Sequence, residues 1–155
     1  MQRRTPDEAE IAVGDLRDVH VLAVDDERDA LSLVSAVLEA AGATVSTVQS
    51  AQEALARLDV EVPDVLIADL GMPRLDGYQL IDRIRRHHDA RVRELPAAAL
   101  TANARSDDRM KALRAGFHIH LAKPIDPAEL VTTIAALAKR FLSRSPTQAS
   151  DVITS

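Results

Sequence analysis

The sequence predicts a doubly wound α/β domain built on a parallel sheet of five strands, and three observations carry that expectation. Short apolar runs alternate along the chain with segments whose apolar residues recur at helical spacing. The runs lack the in-and-out polar alternation of a half-exposed sheet, so helices are expected on both of its faces. The length of 155 residues, 46% of them hydrophobic and 28% charged, suits one domain with a real core and leaves no room for a second of ordinary size.

The first strand is "VHVLAV", Val19–Val24, and Ala30, Leu31, Val34, Val37, Leu38 and Ala41 then mark a helix that Gly42 stops. "ATVSTV", Ala43–Val48, is rich in β-branched residues and forms the second strand. Ser50 and Glu53 have the spacing of a capping box and open a second helix to about Asp59. "DVLIAD", Asp64–Asp69, is the third strand, and Tyr78, Ile81 and Ile84 mark a third helix ending near His87 and His88. "LPAAALT", Leu95–Thr101, is the fourth strand despite three alanines, which are poor strand formers. Ser106, Asp107 and Asp108 start a fourth helix that Gly116 closes, "FHIHL" is the fifth strand, and Asp126, Pro127 and Glu129 open a fifth helix to about Phe141. Its buried stripe is Leu130, Ile134, Leu137 and Phe141. Residues 1–18 are expected to be a charged extension, 19–142 the domain, and 143–155 a solvated tail.

Composition narrows the functions. A formal charge of -5, with one tyrosine, two phenylalanines and no tryptophan, argues against nucleic acid as a partner, because neither phosphates nor bases find their usual contacts. The absence of cysteine removes disulfides, thiolate metal sites and a cysteine nucleophile, and it agrees with a cytoplasmic location. The N-terminus is no signal peptide, and no stretch approaches the ~18 apolar residues of a membrane span, so no membrane contact is expected.

In an open parallel α/β sheet, ligands bind beyond the carboxyl ends of the strands. Those ends deliver Asp25 and Asp26, Asp69, Thr101 and, just past the fifth strand, Lys123. Singly, each has a plainer role: Asp26 as a cap of the first helix, Asp69 as a cap of a turn, Thr101 as a partner for its own loop. Together, three carboxylates either stay partly protonated or bind a hard divalent cation, and oxygen-only ligation suits Mg²⁺. With a cation beside it, an aspartate can attack phosphorus, while Lys123 counters the phosphoryl charge and Thr101 donates to one of its oxygens.

The motifs "VDDE" at Asp25 and Asp26, "ADLGMPRLDG" at Asp69, "LTANA" at Thr101 and "AKPID" at Lys123 resemble the receiver domain of bacterial two-component response regulators over roughly Val19 to Phe141. The resemblance implies a flavodoxin-like sheet in the order 2-1-3-4-5. It implies that Asp69 accepts a phosphoryl group from a histidine kinase or a histidine phosphotransfer protein, and that Asp25, Asp26, Asp69 and the backbone carbonyl of Gly71 hold Mg²⁺. Thr101 becomes the hydroxyl of the switch, Lys123 the amine that pairs with the phosphoryl group, and Pro124 the residue after a cis bond. Gly71, Met72 and Pro73 would turn the chain, with Asp76 and Gly77 starting the third helix.

Three positions depart from the common receiver pattern. His120 stands where tyrosine or phenylalanine usually serves as rotamer switch, Gly71 has no side chain to steer an attacking water, and Asn103 lies two residues beyond Thr101. His118 and His120 share a strand face without further soft ligands and are not expected to bind metal. His87 and His88 fit a surface helix C-terminus, His20 lies at the far end of the sheet, and "ARSDDRMKALRAG" reads as a solvated helix face. By resemblance, output passes through the fourth helix, fifth strand and fifth helix, from about Ser106 to Phe141, which is also the face for a homodimer. The chain is expected to act by protein contact, either alone or as the C-terminal receiver of a hybrid histidine kinase, with no catalysis beyond its own phosphorylation and dephosphorylation. Two alternatives stand beside this reading. A phosphatase of the haloacid-dehalogenase type needs a second acid two residues after its nucleophile, where this chain has Gly71, and a non-phosphorylated pseudo-receiver would usually have lost part of the acidic cluster.

Overall fold

The computed structural model describes residues 15–102 and 106–139 of the chain. Strands β1 His20–Val24, β2 Thr44–Val48, β3 Val65–Asp69, β4 Ala97–Thr101 and β5 Ile119–Ala122 form one parallel sheet in the order β2-β1-β3-β4-β5. This is the flavodoxin-like arrangement expected. Around it lie α1 Arg28–Ala40, α2 Ala51–Val60, α3 Gly77–Arg85, α4 Ala90–Arg93, α5 Ser106–Ala115 and a last helix, α6, over residues 127–139. The expected Phe141 of the last stripe, the tail, Asn103 and most of the N-terminal extension fall outside the described residues.

Because successive strand residues point to opposite faces, the sheet divides its apolar residues between two cores. Leu22, Val24, Leu66, Ala68, Ala97 and Ala99 pack against α2 and α3, whereas Val21, Ala23, Val65, Ile67, Ala98 and Leu100 pack against α1 and α6. Both β3 and β4 are buried along their whole length. Leu130, Ile134 and Leu137 seat α6 on the second core, and Leu16, before β1, is also fully buried there. The parallel register, with Leu66 beside both Leu22 and Ala97 and with Leu100 beside Leu121, brings the carboxyl ends of four strands to one edge.

Several details differ from the sequence expectation. There are six helices rather than five among the described residues. The extra one, α4, is a single turn that Asp89 caps by accepting from the Arg91 amide. Strand β5 starts at Ile119 rather than Phe117, because Phe117 follows the turn at Gly116 and plugs the first core. The Ser50 hydroxyl accepts from the Glu53 amide as expected, but the Glu53 carboxylate returns to the amide of Gln49, not to that of Ser50. His87 is no free surface residue: its side chain is half-buried, stacked on His88 and 3.2 Å from Asp59.

One half-buried cation ties three helix ends together. The Arg85 guanidinium donates to the Gly116 carbonyl at 3.0 and 2.6 Å and to that of Arg93 at 2.8 Å. Gly116 sits at φ 128, the left-handed region where a side chain is strained. A Cβ there would also lie 3.0 Å from Arg85 Cγ.

Candidate functional site

The buried polar or charged side chains among the described residues are three: Asp25, Asp69 and Thr101, at 1%, 7% and 8% exposure. All stand at or just past the carboxyl ends of β1, β3 and β4, and burial of this kind is costly unless the groups are paired. The partner is Lys123, just beyond β5. Its ammonium lies 3.0 Å from Asp25 Oδ2, 3.1 Å from Glu27 Oε1 and 3.5 Å from Asp69 Oδ1. Sequence reasoning had read Lys123 as a counter-charge for an incoming phosphoryl group and had missed Glu27, although it is the last residue of the quoted "VDDE".

Backbone contacts fix each group. Lys123 N donates to the Thr101 carbonyl at 2.8 Å and Leu70 N to that of Leu100 at 2.9 Å, so the segments leaving β5 and β3 are both anchored on β4. The Lys123-Pro124 bond is cis, as the resemblance implied. Asp25 Oδ1 accepts from the Glu27 amide at 3.0 Å. Helix α1 is capped by Glu27 without any side-chain bond, which leaves Asp26 exposed and free of the capping role that was its plainer reading.

The turn after Asp69 is held from inside. Met72 and Leu75 are buried in the first core, Arg74 between them adopts φ 65, and Asp76 and Gln79 close a reciprocal capping box at the start of α3. Gly77 N bonds the Leu70 carbonyl at 3.3 Å. A Cβ on Gly77 would lie 2.6 Å from the Asp69 carbonyl oxygen and 2.8 Å from Leu70 Cα, whereas one on Gly71 would meet nothing within 4 Å. Helix α3 thus starts in direct contact with the backbone of Asp69, and the mouth above it stays open.

The charges of the cluster act on one another. Burial, and then the neighbouring Asp25 charge, push the Asp69 carboxyl above the usual carboxylate range, while Lys123 and a hydrogen bond from the Gly71 amide pull the other way. For Lys123, burial pulls the pKa down, but its contacts with Asp25 and Glu27 and the field of Asp69 outweigh this and leave it above the normal lysine value. Lys123 is therefore a fixed cation at any ordinary pH.

Asp25, Asp26 and Asp69 each offer a carboxylate oxygen within 4.8 Å of the others. Asp25 Oδ2 is buried and, although beside the ammonium, has no hydrogen-bond partner. Three carboxylate oxygens this close together, with only one ammonium beside them, make an all-oxygen donor set that fits a hard divalent cation such as Mg²⁺. Above the cluster opens a pocket of about 570 Å³ lined by Asp26, Asp69, Gly71, Thr101 and Lys123. Tyr78, Asp108 and Lys111 also line it; the sequence reading placed Tyr78 and Asp108 on helices and assigned none of the three to the site. A larger groove of about 870 Å³ lies between α1 and α2, lined by Leu31, Val48 and Arg57 among others; none of the converging carboxylates reaches it, so it is not the site.

The histidines stand apart. His120 does not line the pocket, and its Nε2 is buried without a partner. Burial lowers its pKa, with Asp108 opposing. His118 Nδ1 accepts from the Ala97 amide at 3.1 Å, and His20 bonds Ser46 at the opposite end of β1. No helix of the described residues is long and apolar enough to cross a membrane.

Comparison with known proteins agrees with this geometry. The model of the response regulator receiver domain matches residues 21–135. An uncharacterized 14.6 kDa protein of Leptolyngbya boryana is 44% identical, over 81% of this chain and 95% of its own length. The transcriptional regulatory protein PrrA of Mycobacterium tuberculosis is 36% identical over 86% of this chain, which spans 55% of PrrA. Hybrid signal transduction histidine kinase D of Dictyostelium discoideum is 32% identical over 81% of this chain, which covers 8% of that kinase. The crystal structure of the chemotaxis response regulator CheY4 of Vibrio cholerae superposes with a TM-score of 0.71 at 29% identity, covering 77% of this chain and 98% of CheY4. With the family model matched across most of its length, and with the carboxylates and lysine of the motifs gathered at one sheet edge, this chain belongs to the response regulator receiver domain family.

Proposed function

We propose that this receiver accepts a phosphoryl group on a carboxylate oxygen of Asp69 from a phosphohistidine of a histidine kinase or a histidine phosphotransfer protein. The observation that supports it best is the ammonium of Lys123 lying 3.0 Å from Asp25 and 3.5 Å from Asp69, a cation fixed beside the attacking oxygen. In the step, an Asp69 oxygen bonds to phosphorus as the donor's P–N bond breaks. The electron pair leaves with the imidazole, which takes up a proton from solvent. Lys123 meets the phosphoryl oxygens, and the Thr101 hydroxyl at the end of β4 donates to one of them. Asp25, Asp26 and Asp69, with the Gly71 carbonyl, would hold Mg²⁺, which when bound neutralises charge between nucleophile and phosphoryl group.

Signalling then follows from a shift of population at the face of α5, β5 and α6. Met110 and Leu113 of α5 are exposed at 48% and 38%, apolar surface available to a protein partner or to a second copy of the chain. His120 takes the switch position of that face, and the working location we assign is the cytoplasm.

The test is direct. Incubated with acetyl phosphate and Mg²⁺, the protein should gain the mass of one phosphoryl group, labile to base and to hydroxylamine, and Asp69→Asn should gain none. Absence of any adduct on the wild-type protein, or persistence of one on Asp69→Asn, overturns the assignment.

A further inference from the structure

Lys123 is committed to three carboxylates, yet the pocket it serves also presents Asp26 and Asp108. An anionic donor entering this pocket meets an excess of negative charge before it reaches Asp69. The other cation lining the pocket among the described residues is Lys111 of α5. Its ammonium makes no ion pair with a described carboxylate. It rests instead over the ring of Tyr78, 4.5 Å from the centroid, a contact that holds a cation in place without neutralising its charge. Tyr78 is itself fixed, since it follows Gly77 at the start of α3 and packs against the first core. Its hydroxyl stays protonated, burial and then Asp108 and Asp76 raising its pKa.

Resting on the assignment of Asp69 as phosphoacceptor, we infer that Lys111, parked on Tyr78 at the rim of the pocket, is a capture residue that contacts the anionic phosphoryl group of the incoming donor and sets the donor concentration at which the site fills. Lys123 acts on the group being transferred. Lys111 acts earlier, by offsetting the repulsion of Asp108, the carboxylate lining the pocket that lies outside both the Lys123 contacts and the set that would hold Mg²⁺.

The measurement is the rate of adduct formation against donor concentration, with acetyl phosphate and with phosphoramidate as probes, for the wild type, Lys111→Gln, Lys111→Arg and Tyr78→Phe. Lys111→Gln should raise the half-saturating concentration of both donors by up to about fivefold, the span of one solvent-accessible charge contact, with much less change in limiting rate. Lys111→Arg should restore most of the loss, and Tyr78→Phe, which keeps the aromatic face, should stay near wild type. An unchanged half-saturating concentration in Lys111→Gln, or a loss confined to the limiting rate, overturns the inference. A shift with acetyl phosphate alone also overturns it, because the contact would then be to the acyl end. If the wild type takes up phosphate from neither donor, the failure belongs to the Asp69 assignment and not to Lys111.

Discussion

Replacing Gly77 with alanine tests how tightly α3 is set against the phosphoacceptor strand. The added Cβ would sit 2.6 Å from the Asp69 carbonyl oxygen, and reaching even the 3.0 Å limit of real contacts demands a retreat of 0.4 Å. The obstacles are backbone atoms at the end of a fully buried strand, so no side-chain rotation relieves them. The intrinsic gain of alanine over glycine in a helix is about 1 kcal/mol, whereas overpacking of this kind costs about 1–3 kcal/mol. The expected net is a loss of up to about 2 kcal/mol in urea unfolding. Because a displacement near 1 Å can cost about a hundredfold in rate, a shift of this size at Asp69 should slow phosphorylation by acetyl phosphate by roughly tenfold. Gly71→Ala is the internal control: its Cβ meets open space, and stability should stay within about 0.5 kcal/mol of wild type. A Gly77→Ala protein as stable as wild type and phosphorylated at the same rate would refute the close-approach reasoning.

Three further outcomes follow from the same geometry. The Asp69 carboxyl is held above its ordinary pKa by burial and by Asp25, so its protonated form stabilises the fold below about pH 3.9, the unfolded value, and that contribution is lost as pH rises through the higher folded value. Asp69→Asn should therefore unfold at higher urea than wild type at pH 7 and show no such advantage at pH 3; equal midpoints at pH 7 would contradict the raised pKa. Mg²⁺ at ten times its dissociation constant should stabilise the protein by about 1.4 kcal/mol, an increment removed by EDTA and absent in Asp25→Asn, as read by thermal unfolding. Asp76→Ala removes the side-chain acceptor of the α3 capping box, leaving the Gln79 amide without its cap, and should cost about 1 kcal/mol in urea unfolding, while Glu53→Ala, outside the site, should leave the phosphorylation rate unchanged.

The strands and most helices could be read from the sequence because their signals are local. Val65–Ala68 is an unbroken apolar run, and Leu31, Val34 and Leu38 keep helical spacing on the face that is buried in α1. The alanines of β4 contradict strand propensity, but Ala97, Ala98 and Ala99 are all fully buried between helices on two faces, and tertiary burial overrides propensity there. Helix α4 is four residues long and shows no period at all; the only hint of it was Asp89 before an amide it could cap. Phe117 was read as strand because an aromatic among apolar neighbours gives the same signal whether it pairs in a sheet or plugs a core. At the site, Asp25, Asp69, Thr101 and Lys123 were legible because each ends a strand. Glu27, Tyr78 and Lys111 were not, since they reach the pocket from two helix starts and a helix face, and only the folding of α3 and α5 over one edge unites them.

The Arg85 clamp has a mechanical corollary. It seizes the carbonyl of Gly116, at the foot of α5, whereas the side chains of α5 itself sink little into the body of the protein, Ala112 alone being fully covered among those described. A rod pinned at its base and lightly seated along its shaft pivots rather than slides. A swing of α5 about Arg85 would carry Lys111, Met110 and Leu113 together, since all three ride on the same helix.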